Sequence, residues 1–334
     1  MGLSVLEICA GAGGEAIGLE AAGFEHRAAV EIDPMACATL RMNRPSWQVI
    51  ESDVRSVNGR QFEGVDLLAG GVPCPPFSIA GKQLGRGDER DLFPEALRLV
   101  REARPAAVLL ENVRGFASAK FAPYRAHIRS ALQDLGFTFV DWRVLNASGF
   151  DVPQLRPRFI LVALRSPFSN EFRWPLERRT IGTVASAIGD LVASSGWPGA
   201  AAWMSKANAI APTLVGGSKK HGGPDLGPTR ARRQWATLGV DGLGLANEPP
   251  IASFPPDGLP RLTLRMVARL QGFPDDWGFA GRKTAAYKQI GNALPPPVAQ
   301  SVGRAIHLAL TLTPAPRYPE SDPQERFAAL VGAV

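Results

Sequence analysis

Cys74 stands in "PCPPFS", with proline on both sides, directly after the apolar run "VDLLAGG". Prolines make a poor core strand. Here they frame a rigid turn that would project a thiol, a soft nucleophile once deprotonated; the competing reading is an inert buried cysteine. Glu111 ends a second apolar run, "AAVLLEN". A carboxyl there can act as a proton donor in a dry pocket, or serve as a salt-bridged strand-edge residue. Gln154, Arg156 and Arg158 lie beyond a third long run, where the plainest reading is a solvated strand edge. "AGAGG", residues 10–14, offers glycines and backbone N–H groups at a helix start, which suits close approach of a ligand or simply a tight turn. Glu31 follows about 20 residues later, where a ribose-binding acid sits in nucleoside-binding sheets. Asp53 can accept from an adenine amino group or cap a helix.

The elements that must position these groups alternate. "LSVLEIC", "HRAAVEI", "GVDLLAG" and "AAVLLEN" read as strands. Between them, "GEAIGLEAAG", "PMACATLRMN" and "DLFPEALRLVREA" read as helices, the first closed by Gly23 and the second carrying Pro34 in its first turn. "APYRAHIRSALQDLG" is a further helix, and "FTFVDWRVLNA" and "RFILVAL" are the last strands. This order predicts an α/β fold with a doubly wound, mostly parallel sheet. Ligands of such sheets gather beyond the carboxyl ends of the strands, where all of the residues above fall.

After residue 166 the composition changes. Gly196 to Pro260 contains 20 glycines and prolines among 65 residues, interleaved with Trp197, Trp203 and Trp235. An irregular smaller domain with long loops is expected there. Helices resume at "TLRMVARLQGF" and "PPPVAQSVGRAIHLALTL", and residues 313–334 read as a flexible tail.

In this order, "CAGAGG", "EID", "PCPPFS", "ENV", "QLRPR", "RMVARLQGFPDDW" and "YKQIGNALPPPVAQSVGRAI" resemble the motifs of the cytosine-C5 DNA methyltransferases of prokaryotic restriction-modification systems. The likeness covers residues 3–165 and 261–306. It implies a Rossmann-like methyltransferase domain from residues 1–165 and 283–312, with a target-recognition domain at 166–282. It also implies S-adenosyl-L-methionine as cofactor, S-adenosyl-L-homocysteine as product and no metal. By this resemblance Cys74 is the nucleophile at cytosine C6, Glu111 the donor at N3 and Arg158 the cation near O2, with Arg156 behind it. The cofactor would be held by Cys9, Ala10, Gly11, Ala12, Gly13, Gly14, Glu31, Ile32, Asp53, Val54, Pro73, Leu92, Asn292 and Ala293. Cys9 replaces a phenylalanine usual in the family, so Ile32 is expected to cover the adenine. Chemistry on a base requires the nucleotide to leave the duplex. Ser78, Lys82, Gln83 and Arg86 of a glycine-rich lid, together with Gln154, are then expected at the DNA. Lys219, Lys220, Arg230, Arg232 and Arg233 of the basic stretch in the insert join them as phosphate or guanine contacts.

Bulk properties agree. A net charge of +6 permits a polyanionic partner without demanding one. Three cysteines without a CxxC pair, beside four histidines, argue against a zinc site and a disulfide scaffold. No basic leader or membrane-length apolar run is evident. A monomer in the bacterial cytoplasm, bound to double-stranded DNA, is the expectation, and it is compatible with a separately encoded cognate restriction endonuclease. The alternative is a tRNA cytosine-C5 methyltransferase with the same chemistry. A dinucleotide-dependent oxidoreductase would leave Cys74 and Glu111 without a role.

Overall fold

Strands buried on both faces read as continuous apolar runs, and those runs set the order of the molecule. The computed structural model describes residues 2–73, 91–178, 182–216 and 224–312. The first half runs β1 (Leu3–Ile8), α1 (Gly14–Ala21), β2 (Phe24–Glu31), α2 (Pro34–Asn43), β3 (Val49–Glu51) and β4 (Leu67–Gly71). It continues with α3 (Phe93–Ala103), β5 (Ala107–Val113), α4 (Ala122–Asp134), β6 (Phe137–Asn146) and β7 (Pro157–Arg165). The sheet order is β3-β2-β1-β4-β5-β7-β6. β1 to β5 pair in parallel, while β7 runs antiparallel to both β5 and β6. The expected doubly wound, mostly parallel sheet is the one found. The chain winds outward from β1 to β3 and returns to β4 beside β1, so the strand order reverses where β1 and β4 end. That is the place at which such sheets open a crevice.

Alternate residues of each strand serve opposite faces. Leu6, Leu68 and Val108 join Phe93, Leu99, Ile128 and Leu132 of α3 and α4 on one side. Val5, Leu67 and Leu109 join Leu19 of α1 on the other, together with Val298, Val302 and Ile306. The last three belong to the final helix (Pro296–Leu312), which thereby returns to the first half of the chain. Gly18 permits the approach: a Cβ there would lie 2.5 Å from the Ala299 Cβ and from the Pro296 carbonyl oxygen.

The insert is more regular than its composition suggests. It contains α5 (Val184–Ala193), α6 (Ala200–Lys206) and α7 (Thr229–Thr237), followed by α8 (Leu264–Leu270), α9 (Lys283–Asn292) and the final helix, α10. Trp197, Trp203 and Trp235 are buried together at its centre. Their cluster continues without a break through Met266 and Trp277 to Leu40, Ile17 and Ala10 beside the sheet. Helices of 10, 7 and 9 residues separated by Gly- and Pro-rich turns leave little periodicity to read in sequence.

Candidate active site

A cleft of about 1010 Å³ opens beyond the ends of β1, β2, β4 and β5. Its wall includes Cys9, Ala10, Gly11, Ala12, Gly14, Glu31, Ile32, Asp53 and Val54, and also Pro73, Leu92, Glu111, Asn292 and Ala293. Four strand ends and the α9–α10 junction thus meet around one space.

The acidic residues of the wall are ordered by backbone amides. Glu31 is almost fully buried, and its carboxylate accepts from Gly11 N at 2.7 Å and from Ile32 N and Asp33 N at 2.8 Å. The charge is fixed on the lip of the glycine loop with little freedom to lose on binding. Asp33 caps α2 through Met35 N and Ala36 N. Asp53 does both things that its sequence allowed. It accepts from Arg55 N, capping a short turn, and faces the cleft. That backbone bond, ahead of the Arg55 guanidinium, holds its carboxyl below the usual range. Ile32, directly after β2, lines the same cleft at 62% exposure and offers an apolar platform, whereas the β2 aliphatics Ala28, Ala29 and Val30 are buried.

Gly13 does not face the cleft. It precedes α1 at φ 88°, and a Cβ would lie 2.8 Å from the Trp277 ring and 2.9 Å from Leu40. The Trp277 indole donates to the Ala12 carbonyl at 3.1 Å and so latches the loop from the distant C-terminal half. Gly13 thereby supports the loop.

Glu111 leaves β5 facing the cleft, and Arg158 stands directly across the β5–β7 ladder from Val113. The Arg158 Nε lies 2.8 Å from Glu111 Oε1, an ion-pair contact without hydrogen-bond alignment. Both side chains are only 12% exposed. Burial pushes the Glu111 carboxyl up despite the opposing pull of Arg158 and, more weakly, Arg156. A carboxyl in this state can carry a proton at neutral pH.

Arg156, expected behind Arg158, and Gln154, expected at the DNA, are both held inside the protein. Arg156 is fully buried and donates to the carbonyls of Leu214 at 2.6 Å, Gly291 at 2.6 Å and Ala293 at 2.9 Å. It ties β7 to the insert and to the end of α9, which lines the cleft, so it positions the wall and touches no reacting atom. Gln154 is also fully buried; its amide donates to Leu270 O and Gln271 Oε1 and accepts from Leu214 N. It is an internal clasp and does not reach a DNA surface. Arg156→Met should destabilise the fold by about 3–5 kcal/mol, because buried carbonyls lose a charged donor. Urea titration would read this as a lowered midpoint, whereas a surface arginine would leave it unchanged.

The match to known proteins now has a place to land. The model of the C-5 cytosine-specific DNA methylase family covers residues 3–308.

The chain belongs to that family.

It is 56% identical to the Type II methyltransferase M.NaeI of Lentzea aerocolonigenes over 93% of this chain and 76% of that one. It is 52% identical to M.NgoMIV of Neisseria gonorrhoeae over 93% of this chain and 99% of that one. Among solved structures, the Entamoeba histolytica methyltransferase EhMeth superposes with a TM-score of 0.64 at 16% identity, covering 92% of this chain and 98% of that chain. A likeness of that kind supports the fold.

For a DNA cytosine-5 methyltransferase, the cleft also holds groups that sequence reading passed over. Glu15, Ser52, Arg55, Gly71, Lys288 and Leu294 line it. All but Lys288 lie within two residues of a group singled out in the sequence, and Lys288 falls in the segment "YKQIGNALPPP" four residues before Asn292. Arg230 and Arg233 lie exposed on α7, while Arg232 is half-buried and 3.6 Å from Asp225. The buried Trp235 anchors this helix. Cys74, Ser78, Lys82, Gln83, Arg86, Lys219 and Lys220, and the tail from residue 313, lie outside the described residues.

Proposed function

We propose that this family member is the modification enzyme of a restriction-modification system, methylating cytosine C5 at one sequence of double-stranded DNA with S-adenosyl-L-methionine. The observation that carries the reading is Glu111, paired with the buried Arg158, on the same cleft wall as Pro73, the residue before the thiol, and the carboxylates of Glu31 and Asp53. The relatives at 56% and 52% identity, both named Type II methyltransferases, support the restriction-modification setting.

The residues present fit the cofactor. A Cβ on Gly11 would meet nothing within 4 Å, so the loop can take a ligand against its backbone. The cleft is lined by the carboxylates of Glu15, Glu31, Asp33 and Asp53, which suits a cation. S-adenosyl-L-methionine supplies an electrophilic methyl group on a positive sulfur. Glu31 would hold the ribose hydroxyls, Asp53 the adenine amino group and Ile32 the adenine face. Cys9, Ala10, Gly11, Ala12 and Gly14 follow the methionine end, while Val54, Pro73, Leu92, Asn292 and Ala293 close the sides.

The base chemistry follows from charge. Cys74, as thiolate, adds to C6 of a cytosine flipped from the duplex. The negative charge that develops on the ring is met by the Glu111 proton at N3 and by Arg158 near O2. C5 becomes nucleophilic enough to take the methyl group. Loss of the C5 proton then lets the C5–C6 double bond reform and expels Cys74.

Residues 166–282 are assigned to target reading, with Arg230, Arg232 and Arg233 on α7 at the DNA beside Lys219 and Lys220. The lid residues Ser78, Lys82, Gln83 and Arg86 are assigned to the strand around the flipped base. No helix among the described residues is long and apolar enough to cross a membrane. The protein is assigned to DNA in the cytoplasm as a monomer, with a separately encoded endonuclease. Bisulfite sequencing of plasmid from expressing cells should reveal cytosines protected in one sequence context. Full conversion of the plasmid beside protected cytosines in tRNA would overturn the DNA assignment.

A further inference from the structure

Glu15, at the start of α1, is a buried carboxyl on the cleft wall that no cation answers among the described residues. It is 5% exposed, and its Oε1 is buried without a hydrogen-bond partner. The other cleft carboxylates are answered locally: Glu31 and Asp33 by backbone amides, Asp53 by Arg55, and Glu111 by Arg158. An acidic residue in the first turn of a helix is favoured by the helix dipole, but an exposed one gains that benefit without desolvation. Burial without a partner costs stability, so its placement calls for a ligand that repays it.

The groups facing Glu15 make the cost larger. Glu7 of β1 and Glu111 of β5, both carboxyls, act on it electrostatically, with Glu7 in turn paired to His26 at 2.9 Å. Burial first, then Glu7 and Glu111, push the Glu15 carboxyl well above the usual carboxylate range. A cation brought into the cleft next to Glu15 would relieve this, and the charge-assisted contact would be strong in so dry a place.

Resting on the cofactor assignment above, we propose that Glu15 binds the α-ammonium group of the cofactor's methionine end. That end is a zwitterion. The first turn of α1 presents the positive pole of the helix dipole to one of its charges, and Glu15 supplies the opposite sign for the other. The remaining cleft carboxylates are already engaged with the chain itself, which leaves this one for the ammonium.

The test compares S-adenosyl-L-homocysteine with its des-amino counterpart by titration calorimetry on the full chain. The native protein should bind the amino ligand about 10- to 100-fold more tightly, the worth of a charge-assisted hydrogen bond. In Glu15→Gln that ratio should fall to within about threefold of unity, because the des-amino ligand loses nothing. A purely structural role would weaken both ligands together and leave the ratio intact, which would overturn the proposal.

A second measurement needs no variant. Since burial raises the Glu15 carboxyl and the ammonium favours its ionised form, binding of the amino ligand should be accompanied by proton release. Titration in two buffers of different ionisation enthalpy reads this release, and the des-amino ligand should give none. Equal affinities with no proton release in the native protein would sink the role of Glu15 alone. Failure of both ligands to bind would overturn the cofactor assignment and this proposal with it.

Discussion

Cys74→Ser is expected to lower methyl transfer at least about 10³-fold while leaving DNA affinity within a few fold of native. Serine keeps the size and the hydrogen-bonding capacity of the side chain. It lacks the accessible anion and the soft sulfur that add to C6. The competing thiols can be set aside on physical grounds. Burial, followed by the carboxylate of Glu31, pushes Cys9 up to about 12 and Cys37 up to about 11. Neither is a thiolate at neutral pH, and Cys37 donates to the Glu31 carbonyl at 3.4 Å. A second readout uses the chemistry itself. DNA with 5-fluorocytosine at the target position should form an adduct that survives denaturing electrophoresis, since fluorine cannot leave C5 as a proton does. The adduct should need the cofactor and vanish in Cys74→Ser. Native turnover in that variant, or an adduct that persists in it, would remove Cys74 from the mechanism.

Much of the site was legible because its residues follow strands. Glu31 and Glu111 end apolar runs in sequence, and in a parallel sheet the ends of such runs converge on one edge. Asp53 could be read two ways, and the fold uses both at once. What could not be read depended on contacts across long separations. Arg156 and Arg158 look equivalent in "QLRPR", two residues apart and so on the same side of a strand. Yet Arg156 precedes β7 and turns into the seam between the insert and α9, while Arg158 enters the strand opposite the end of β5. Gln154 was misjudged for a related reason. Its partners, Leu270 and Gln271, lie more than 100 residues away, and polarity alone suggested a surface. Glycine and proline likewise hid α5 to α7, because short helices held by three buried tryptophans owe their stability to packing rather than to propensity. Glu15 escaped notice for the opposite reason: an acid in the first turn of a helix is so common a feature that its burial alone makes it informative.

Glu111→Gln should lower kcat by about 10²–10⁴-fold, with KM for DNA changed little, and it should also change the shape of the pH profile. Glutamine keeps a hydrogen-bond donor for N3 but has no proton to deliver as charge develops on the ring. In the native enzyme the two essential groups need opposite protonation states. Cys74 must lose its proton, so the rate rises on the acid side. Glu111 must keep its own, and burial raises its carboxyl above the ordinary range, so protonated enzyme persists to higher pH and is lost as pH rises through that raised value. The alkaline limb therefore belongs to Glu111 and should disappear in Glu111→Gln, leaving a plateau above the acid limb. Single-turnover rates with saturating DNA and cofactor, measured across pH, separate this from a folding defect. An alkaline limb unchanged in the variant would assign it to another group. Arg158 provides the complementary check. Its ion pair with Glu111 favours the charged carboxylate, so Arg158→Met should move the alkaline limb to higher pH even as it lowers kcat. Loss of a merely structural contact would lower the rate without moving the limb. Opposite effects of the two substitutions on one limb, removal by one and displacement by the other, are what a proton held on Glu111 and tuned by Arg158 requires.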